Sequence, residues 1–66
     1  MTVYVIAHYE RKLVLTNLDV FYDSRYARER HDQVKSNQGP DEMYMLNCLD
    51  DLDQMKDIPR IKEECQ

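Results

Sequence analysis

Residues 2–9 read Thr2-Val3-Tyr4-Val5-Ile6-Ala7-His8-Tyr9, a run of β-branched and aromatic residues that predicts a first β-strand. Alternation divides its side chains between two faces, with Val3, Val5, Ala7 and Tyr9 on one and Tyr4, Ile6 and His8 on the other. Both faces are largely apolar, which is typical of a strand that has neighbours on both sides or packing on both faces. We therefore expect the rest of the chain to assemble around this strand.

A second strand is predicted over Leu13 to Tyr22, after the polar break Glu10-Arg11-Lys12. A break of this length between two apolar runs is typical of an antiparallel hairpin. Asn17 and Asp19 fall on the face of this strand that also carries leucines, and two polar side chains there indicate a bulge. The first third of the chain is therefore expected to be a β-hairpin.

A charged helix is predicted next, because Asp23-Ser24 offers an N-cap and residues 25–36 contain no Gly or Pro. Its apolar stripe is narrow, so most of its surface should face water. The loop Asn37-Gln38-Gly39-Pro40 ends it and contains the chain's only glycine. We expect this glycine to adopt the left-handed conformation that commonly caps helices.

The segment from Asp41 to Lys56 supports two interpretations. Pro40 followed by Asp41 and Glu42 resembles a first helical turn, and no Val, Ile or Thr occurs in the segment. We therefore predict a second helix over 42–55. The alternative is a third antiparallel strand over 43–49, because the apolar residues alternate there. With either outcome the fold class is α+β, as a second helix or as ββαβ.

A chain of 66 residues is one small domain, residues 1–66, and buries only about 60% of the surface that its unfolded form exposes. Residues 57–66 are expected to form a short, loose tail with one helical turn near Ile58-Pro59. No run approaches the roughly 18 apolar residues of a membrane-spanning helix, and no signal peptide is recognisable. We expect a cytoplasmic protein.

The chain has two cysteines, Cys48 and Cys65, which is too few for a disulfide-stabilised secreted miniprotein. We expect a packed Cys48 and an exposed Cys65, with a disulfide between them as a minor alternative. His8 and His31 lie apart from each other and from the cysteines, so no short metal-ligand spacing occurs. The sequence predicts no metal site and no cofactor.

No pattern typical of a catalytic centre occurs, neither a nucleophile motif nor a phosphate-binding glycine loop. We therefore expect a protein that is not an enzyme. The densest acidic cluster comprises Asp50, Asp51, Asp53 and Asp57. It lacks the glycine and distal glutamate of a calcium loop, so it is expected to be a solvated surface.

Charge is distributed unevenly along the chain. The formal net charge is −4, with 13 acidic and 9 basic residues, which argues against general nucleic-acid binding. Residues 41–66 carry −5 and residues 1–40 carry +1. Acidic surfaces steer association with basic partners. Five tyrosines and four methionines exceed what so small a core can hide, and both residue types suit protein interfaces.

These features predict a non-catalytic protein-binding module whose partner has a basic surface. The expected docking residues are the four aspartates with an apolar anchor beside them: Tyr44, Asp50, Asp51, Asp53, Met55 and Asp57. A structural or assembly component acting as a homo-oligomer, such as a homodimer, is one alternative. A small nucleic-acid binder is another, using the cations of the charged helix and two tyrosines for stacking, namely Arg25, Arg28, Arg30, Lys35, Tyr22 and Tyr26.

The segment Val3-Tyr4-Val5-Ile6-Ala7-His8-Tyr9, the strand end Leu18-Asp19-Val20-Phe21-Tyr22-Asp23 and the following helix with Ala27 facing inward resemble very small bacteriophage-encoded accessory proteins. The resemblance covers residues 3–34 and is structural, so it carries over no functional residue. It implies a viral protein in the cytoplasm of an infected bacterium that modulates or inhibits a host enzyme or defence factor. It also implies a third strand after the helix.

Overall fold

A three-stranded antiparallel sheet forms the middle layer of the molecule, in the order β2-β1-β3. The computed structural model describes residues 2–61. Its elements in chain order are β1 (Val3–Glu10), β2 (Val14–Phe21), α1 (Ser24–Ser36), β3 (Glu42–Leu49) and a 3-10 helix (Leu52–Asp57). The predicted α+β class, the N-terminal hairpin and the charged helix are confirmed.

The second helix predicted over 42–55 is wrong, and the alternative, a third antiparallel strand over 43–49, is confirmed. Without β3, one side of β1 would leave its backbone N–H and C=O groups without strand partners. The alternating apolar residues of β3 contribute to both faces of the sheet. Met45 lies opposite Ala7 on one face, and Leu46 lies opposite Ile6 on the other. Helical structure in this part of the chain is confined to Leu52–Asp57.

The main core lies on the face of β1 that carries Val3, Val5, Ala7 and Tyr9, all at most 2% exposed. Ile58, from the segment after the 3-10 helix, covers this face. Partly buried side chains surround it: Leu13, Leu15, Leu18, Met43, Met45, Leu49 and Met55. Each fully buried aliphatic side chain contributes about 1.5–3 kcal/mol. The C-terminal part of the chain is therefore required to complete the core.

Helix α1 packs on the opposite face of the sheet, most extensively along β3. Ala27 is its one buried residue, and Ile6 is buried beneath the helix on β1. As predicted, Asp23 caps the helix, with its Oδ1 accepting the N–H of Arg25 at 2.8 Å. His31 and Val34, further along the same face, are half-buried, and Nε2 of His31 lies 3.3 Å from the Tyr44 carbonyl of β3. The small Ala27 side chain lets the helix approach the sheet closely while its charged sides face water.

A bulge in β2 shifts the alternation of that strand. His8 pairs with Asn17 whereas Tyr9 pairs with Leu15, so Thr16 is the extra residue. Leu15 before the bulge and Leu18 after it therefore pack on the same core face, although strict alternation would separate them. The bulge that Asn17 and Asp19 indicated in the sequence is therefore present in β2, at Thr16, next to Asn17.

Left-handed backbone conformations occur in the hairpin turn between β1 and β2, and not at Gly39 after α1, where one was expected. Residues 11–13 of the hairpin turn, none of them glycine, have φ of 34°, 55° and 60°. Gly39 does not adopt the expected left-handed conformation, because the helix ends with Asn37 at φ −105°. The small size of Gly39 has another use, since a Cβ there would stand 2.9 Å from Oε1 of Glu42.

The tail expected to be loose from residue 57 is held to the sheet by contacts up to residue 61, and Ile58 is the buried residue of this stretch. Tyr9 donates its hydroxyl hydrogen to the Pro59 carbonyl at 2.8 Å, and Ile61 bridges to Val14 beside β2. The helical turn expected to start near Ile58-Pro59 is wrong: the 3-10 helix ends before it, at Asp57, and Ile58 is extended, since the chain must reach β2. The rest of the predicted tail, 62–66, lies outside the described residues.

Cys48 is exposed on β3, so the expectation that it is packed is wrong. It occupies the helix-facing side of an edge strand, where α1 does not cover it. The predictions for Cys65, its exposure and the alternative disulfide, lie outside the described residues. Among residues 2–61, no helix has the length and apolar character needed to cross a membrane.

Candidate functional site

Four polar side chains meet on the helix-facing side of the sheet, at the end where β1 finishes and β3 begins. His8 and Glu10 lie two residues apart on β1, so their side chains share a face. The cross-strand register sets Tyr44 opposite His8 and Glu42 opposite Glu10. We call these four residues the His8 cluster.

The His8 imidazole lies at the centre of the cluster. Its Nε2 is 2.7 Å from Oε2 of Glu42 and 3.5 Å from Oε1 of Glu10. The ring stacks on Tyr44 with centroids 4.3 Å apart and planes inclined by 5°. The Tyr44 hydroxyl donates to Oε2 of Glu42 at 3.4 Å. Both carboxylates are therefore held around one ring nitrogen.

Two residues outside the cluster hold it in place. The Gly39 backbone N–H donates to Oε1 of Glu42 at 3.1 Å, which turns Oε2 toward His8. The bulge residue Thr16 donates its hydroxyl hydrogen to the His8 carbonyl at 3.2 Å, and its Oγ1 lies 3.4 Å from Nδ1 of the ring. The bulge and the loop before β3 thus orient the two sides of the site.

The surroundings of the cluster shift the pKa values of Glu42 and Tyr44. The hydrogen bond with His8, followed by the Gly39 N–H, lowers the pKa of the Glu42 carboxyl. Burial, followed by the charge of Glu42, raises the pKa of the Tyr44 hydroxyl. Near neutral pH the cluster therefore presents ionised Glu42 beside a neutral phenol.

The cluster brings together one imidazole nitrogen and two carboxylate oxygens, all within 4.8 Å of one another. Nitrogen and oxygen donors at such separations are ligands for a divalent metal ion. This group could not be recognised from the sequence, because Glu42 is distant from His8 in the chain and becomes a neighbour only through the β1–β3 register. The one local signal is the spacing of His8 and Glu10, which places both on the same face of a strand.

The residues predicted to dock a partner occupy two separate places. Asp50, Asp51, Asp53 and Asp57 are all exposed, in and just before the 3-10 helix. We call residues 50–57 the acidic segment. Among residues 2–61, no lysine or arginine nitrogen lies within 4.0 Å of these carboxylates.

The two predicted apolar anchors do not lie exposed beside these aspartates. Met55 is half-buried and packs on the main core. Tyr44 is in the His8 cluster, about 20 Å from Asp50 at roughly 3.3 Å per strand residue. The large apolar side chain that the acidic segment exposes is instead Leu52, with 42% of its surface accessible.

β3 forms one edge of the sheet and leads directly into the acidic segment. Its inner side pairs with β1 along all eight residues, and within the described part of the chain no strand pairs with its outer side. The other edge, β2, is partly covered, because the Leu15 N–H donates to the Arg60 carbonyl at 2.6 Å. His31 of α1 contacts one backbone group of β3, with its Nε2 3.3 Å from the Tyr44 carbonyl oxygen. The rest of the open β3 edge could not be predicted from the sequence, since it depends on the strand order.

The surface expected for the nucleic-acid alternative is also accessible. Tyr22 and Tyr26 are 61% and 66% exposed, and Arg25 lies between them in sequence. The other predicted cations, Arg28, Arg30 and Lys35, are exposed on α1. Glu29 and Asp32 on the same helix offset half of that charge.

No protein-family model, curated protein sequence or solved structure matches this chain.

Proposed function

We propose that this chain is a non-catalytic protein-binding module that receives an extended, basic segment of a partner protein along β3 and the acidic segment. The observation that carries the proposal is the continuity of the two surfaces, since an open strand edge runs into four exposed carboxylates. Added strands gain affinity from main-chain hydrogen bonds, which a bare edge offers to any extended peptide.

The composition of β3 supports this mode of binding. Edge strands that avoid pairing usually carry Lys, Pro or inward-pointing charges. β3 reads Glu-Met-Tyr-Met-Leu-Asn-Cys-Leu, with its one charge at the first position. The strand between Met43 and Leu49 therefore carries none of these residues. His31 of α1 contacts the Tyr44 carbonyl, with Nε2 3.3 Å from the oxygen, so the stretch from Met45 to Leu49 is the part offered to a partner strand.

The acidic segment supplies the preference for a basic partner. Residues 50–57 hold four aspartates and Lys56, a net charge of −3. Fields of one sign raise the association rate of oppositely charged partners, and exposed charges at the rim act mainly on that rate. Leu52, exposed among the aspartates, supplies an apolar side chain that a partner would desolvate.

The resemblance to small bacteriophage accessory proteins supports a more specific form of the proposal. In that form the module acts in the cytoplasm of an infected bacterium and inhibits or modulates a host protein. Binding, rather than chemistry, would then carry the effect, because a strand added to β3 can hold a partner segment away from its normal contacts.

The test is capture from bacterial lysate at low salt, comparing the wild-type chain with variants. Reversing Asp50, Asp51 and Asp53 to Lys should abolish retention, and Cys48→Lys should do so by placing a charge on the β3 edge. Cys48→Ser is the matched control for the edge. Glu29→Lys with Asp32→Lys is the control for charge, because it moves net charge in the same direction on another surface.

One protein retained by the wild type and both controls, and lost from the acidic-segment and Cys48→Lys variants, supports the proposal. Association of that protein should also slow steeply as salt is raised. Retention of no protein at low salt, or of the same proteins by every variant, would contradict it. Capture of nucleic acid that survives the aspartate reversals would favour α1 and its tyrosines instead.

Self-association is a second candidate function, favoured by the same uncharged edge. Two copies of β3 pairing antiparallel would join two sheets into one of six strands and form a homodimer for structural or assembly roles. Light scattering distinguishes the two candidates: a dimer mass that Cys48→Lys converts to a monomer mass indicates self-pairing. A monomer at all concentrations leaves the edge available to another protein.

A further inference from the structure

We propose that His8, Glu10 and Glu42 form a binding site for a divalent transition-metal ion, with Zn²⁺ as the best fit. The proposal does not rest on the partner-binding function, because it is argued from the ligand geometry at the start of β3 and not from the acidic segment that follows the strand. The three ligand atoms are Nε2 of His8 and one carboxylate oxygen from each glutamate.

The separations of these atoms suit a tetrahedral ion. Bonds of about 2.0 Å to nitrogen and oxygen set neighbouring ligand atoms about 3.3 Å apart. Nε2 of His8 is already 3.5 Å from Oε1 of Glu10. Its distance of 2.7 Å to Oε2 of Glu42 would open by roughly 0.6 Å, which rotation of the glutamate side chain provides.

The strand register places two like charges directly opposite each other, which points to a cation as the missing component. Glu10 and Glu42 are a cross-strand pair, and like charges in that position destabilise a sheet. Within residues 2–61, no lysine or arginine nitrogen lies within 4.0 Å of either carboxylate. The two carboxylates together carry a charge of −2, which a divalent ion neutralises.

Contacts behind the ligands resemble the outer shell of a metal site, which orients the ligands before the ion binds. Oγ1 of Thr16 lies 3.4 Å from Nδ1 of His8, the ring nitrogen that would not bind the metal. The Gly39 N–H holds the second oxygen of Glu42. The Tyr44 ring fixes the plane of the imidazole by stacking on it. Two of the three ligands are therefore oriented by separate contacts.

The donor set also selects the class of metal. Mg²⁺ and Ca²⁺ prefer oxygen ligands alone, whereas imidazole favours Zn²⁺ and its transition-metal neighbours. The side chains of His8, Glu42 and Glu10 are 16%, 30% and 47% exposed, so an ion reaches the site from solvent. Three protein ligands leave the fourth position of a tetrahedral ion for water or for a group of a bound partner.

The test is titration of the full chain with ZnCl₂ and, separately, MgCl₂ by calorimetry. We expect one Zn²⁺ per chain and at least tenfold weaker binding of Mg²⁺. Glu10→Gln and Glu42→Gln should each weaken Zn²⁺ binding at least tenfold, and Glu10 is exposed enough for its variant to fold normally. Glu29→Gln, an exposed glutamate on α1, is the matched control and should bind as the wild type does.

Two further measurements identify the ligands. Addition of Zn²⁺ should shift the imidazole NMR signals of His8 and leave those of His31 unchanged. The titration is repeated with Cys48→Ser and Cys65→Ser combined, which should retain the affinity. Absence of Zn²⁺ binding, equal binding by the glutamate variants and the control, or loss of binding only with the two serines would overturn the proposal.

Discussion

The imidazole of His8 lies flat against the phenol ring of Tyr44, with ring centroids 4.3 Å apart and planes 5° from parallel. The two residues are cross-strand partners on β1 and β3, so the stack joins the first and last strands of the sheet. Aromatic pairs of this kind contribute about 0.5–1.5 kcal/mol beyond the area they bury.

Replacing Tyr44 by Leu should therefore lower the free energy of unfolding by at least about 0.5–1.5 kcal/mol. Tyr44→Phe is the control, because it keeps the ring and loses only the long 3.4 Å hydrogen bond to Glu42. Urea unfolding of the two variants measures the difference. Equal loss in both would show that the hydroxyl, rather than the stack, is responsible.

Tyr9 connects the centre of the sheet to the C-terminal segment through its hydrogen bond to Pro59. Tyr9→Phe keeps the buried ring and should cost about 1 kcal/mol, the usual net value of such a bond. Tyr22→Phe, on an exposed ring, should leave stability unchanged. If the Tyr9 variant is as stable as the wild type, residues 58–61 do not depend on this contact.

Alkaline pH should destabilise the fold through the same residue. Burial raises the pKa of Tyr9 above its usual 10.0, so the unfolded chain loses this proton at lower pH than the folded chain does. The stabilisation is fully present below pH 10 and is lost as pH rises through the raised pKa of the folded state. In unfolding measured from pH 8 to 11, Tyr9→Phe should show a shallower decline; parallel curves would contradict this.

The hairpin turn stores backbone strain that glycine would relieve. Lys12 has φ 55°, in the left-handed region that costs residues with a Cβ about 1–2 kcal/mol. Lys12→Gly should raise the free energy of unfolding by about 0.5–1 kcal/mol, since glycine also loses more entropy on folding. Lys12→Ala separates the backbone effect from the loss of charge and should give no comparable gain.

The hairpin and helix could be predicted because local signals there agree with the tertiary structure. Residues 2–9 are rich in β-branched residues, and Asp23 stands where a helix needs a cap. The segment 42–49 gave conflicting signals, since Pro40 and Glu42 resemble a helix start whereas Met43 to Cys48 alternate as a strand. The segment forms a strand because β1 needs a second hydrogen-bonding partner, and this need is a property of the tertiary structure that the local sequence does not show.

The His8 cluster could not be predicted in the same way. His8 and Glu42 are 34 residues apart, and their contact depends on which strand pairs with β1 and in which register. A shift of one residue would send Glu42 to the other face of the sheet. The acidic segment, by contrast, was recognisable from composition alone, because four aspartates within eight residues indicate a solvated surface in any fold.

The central position of β1 has a consequence for the order in which the sheet is assembled during translation. β1 leaves the ribosome before both of its neighbours, and β2 follows after a three-residue turn. β3 is complete only after residues 22–49 have been added, which takes roughly 1–6 s at typical rates of synthesis. A hairpin that forms before β3 is available presents the unpaired side of β1, the most buried strand, to solvent. Such a hairpin is marginally stable by itself, so the sheet becomes stable only when β3 has been made.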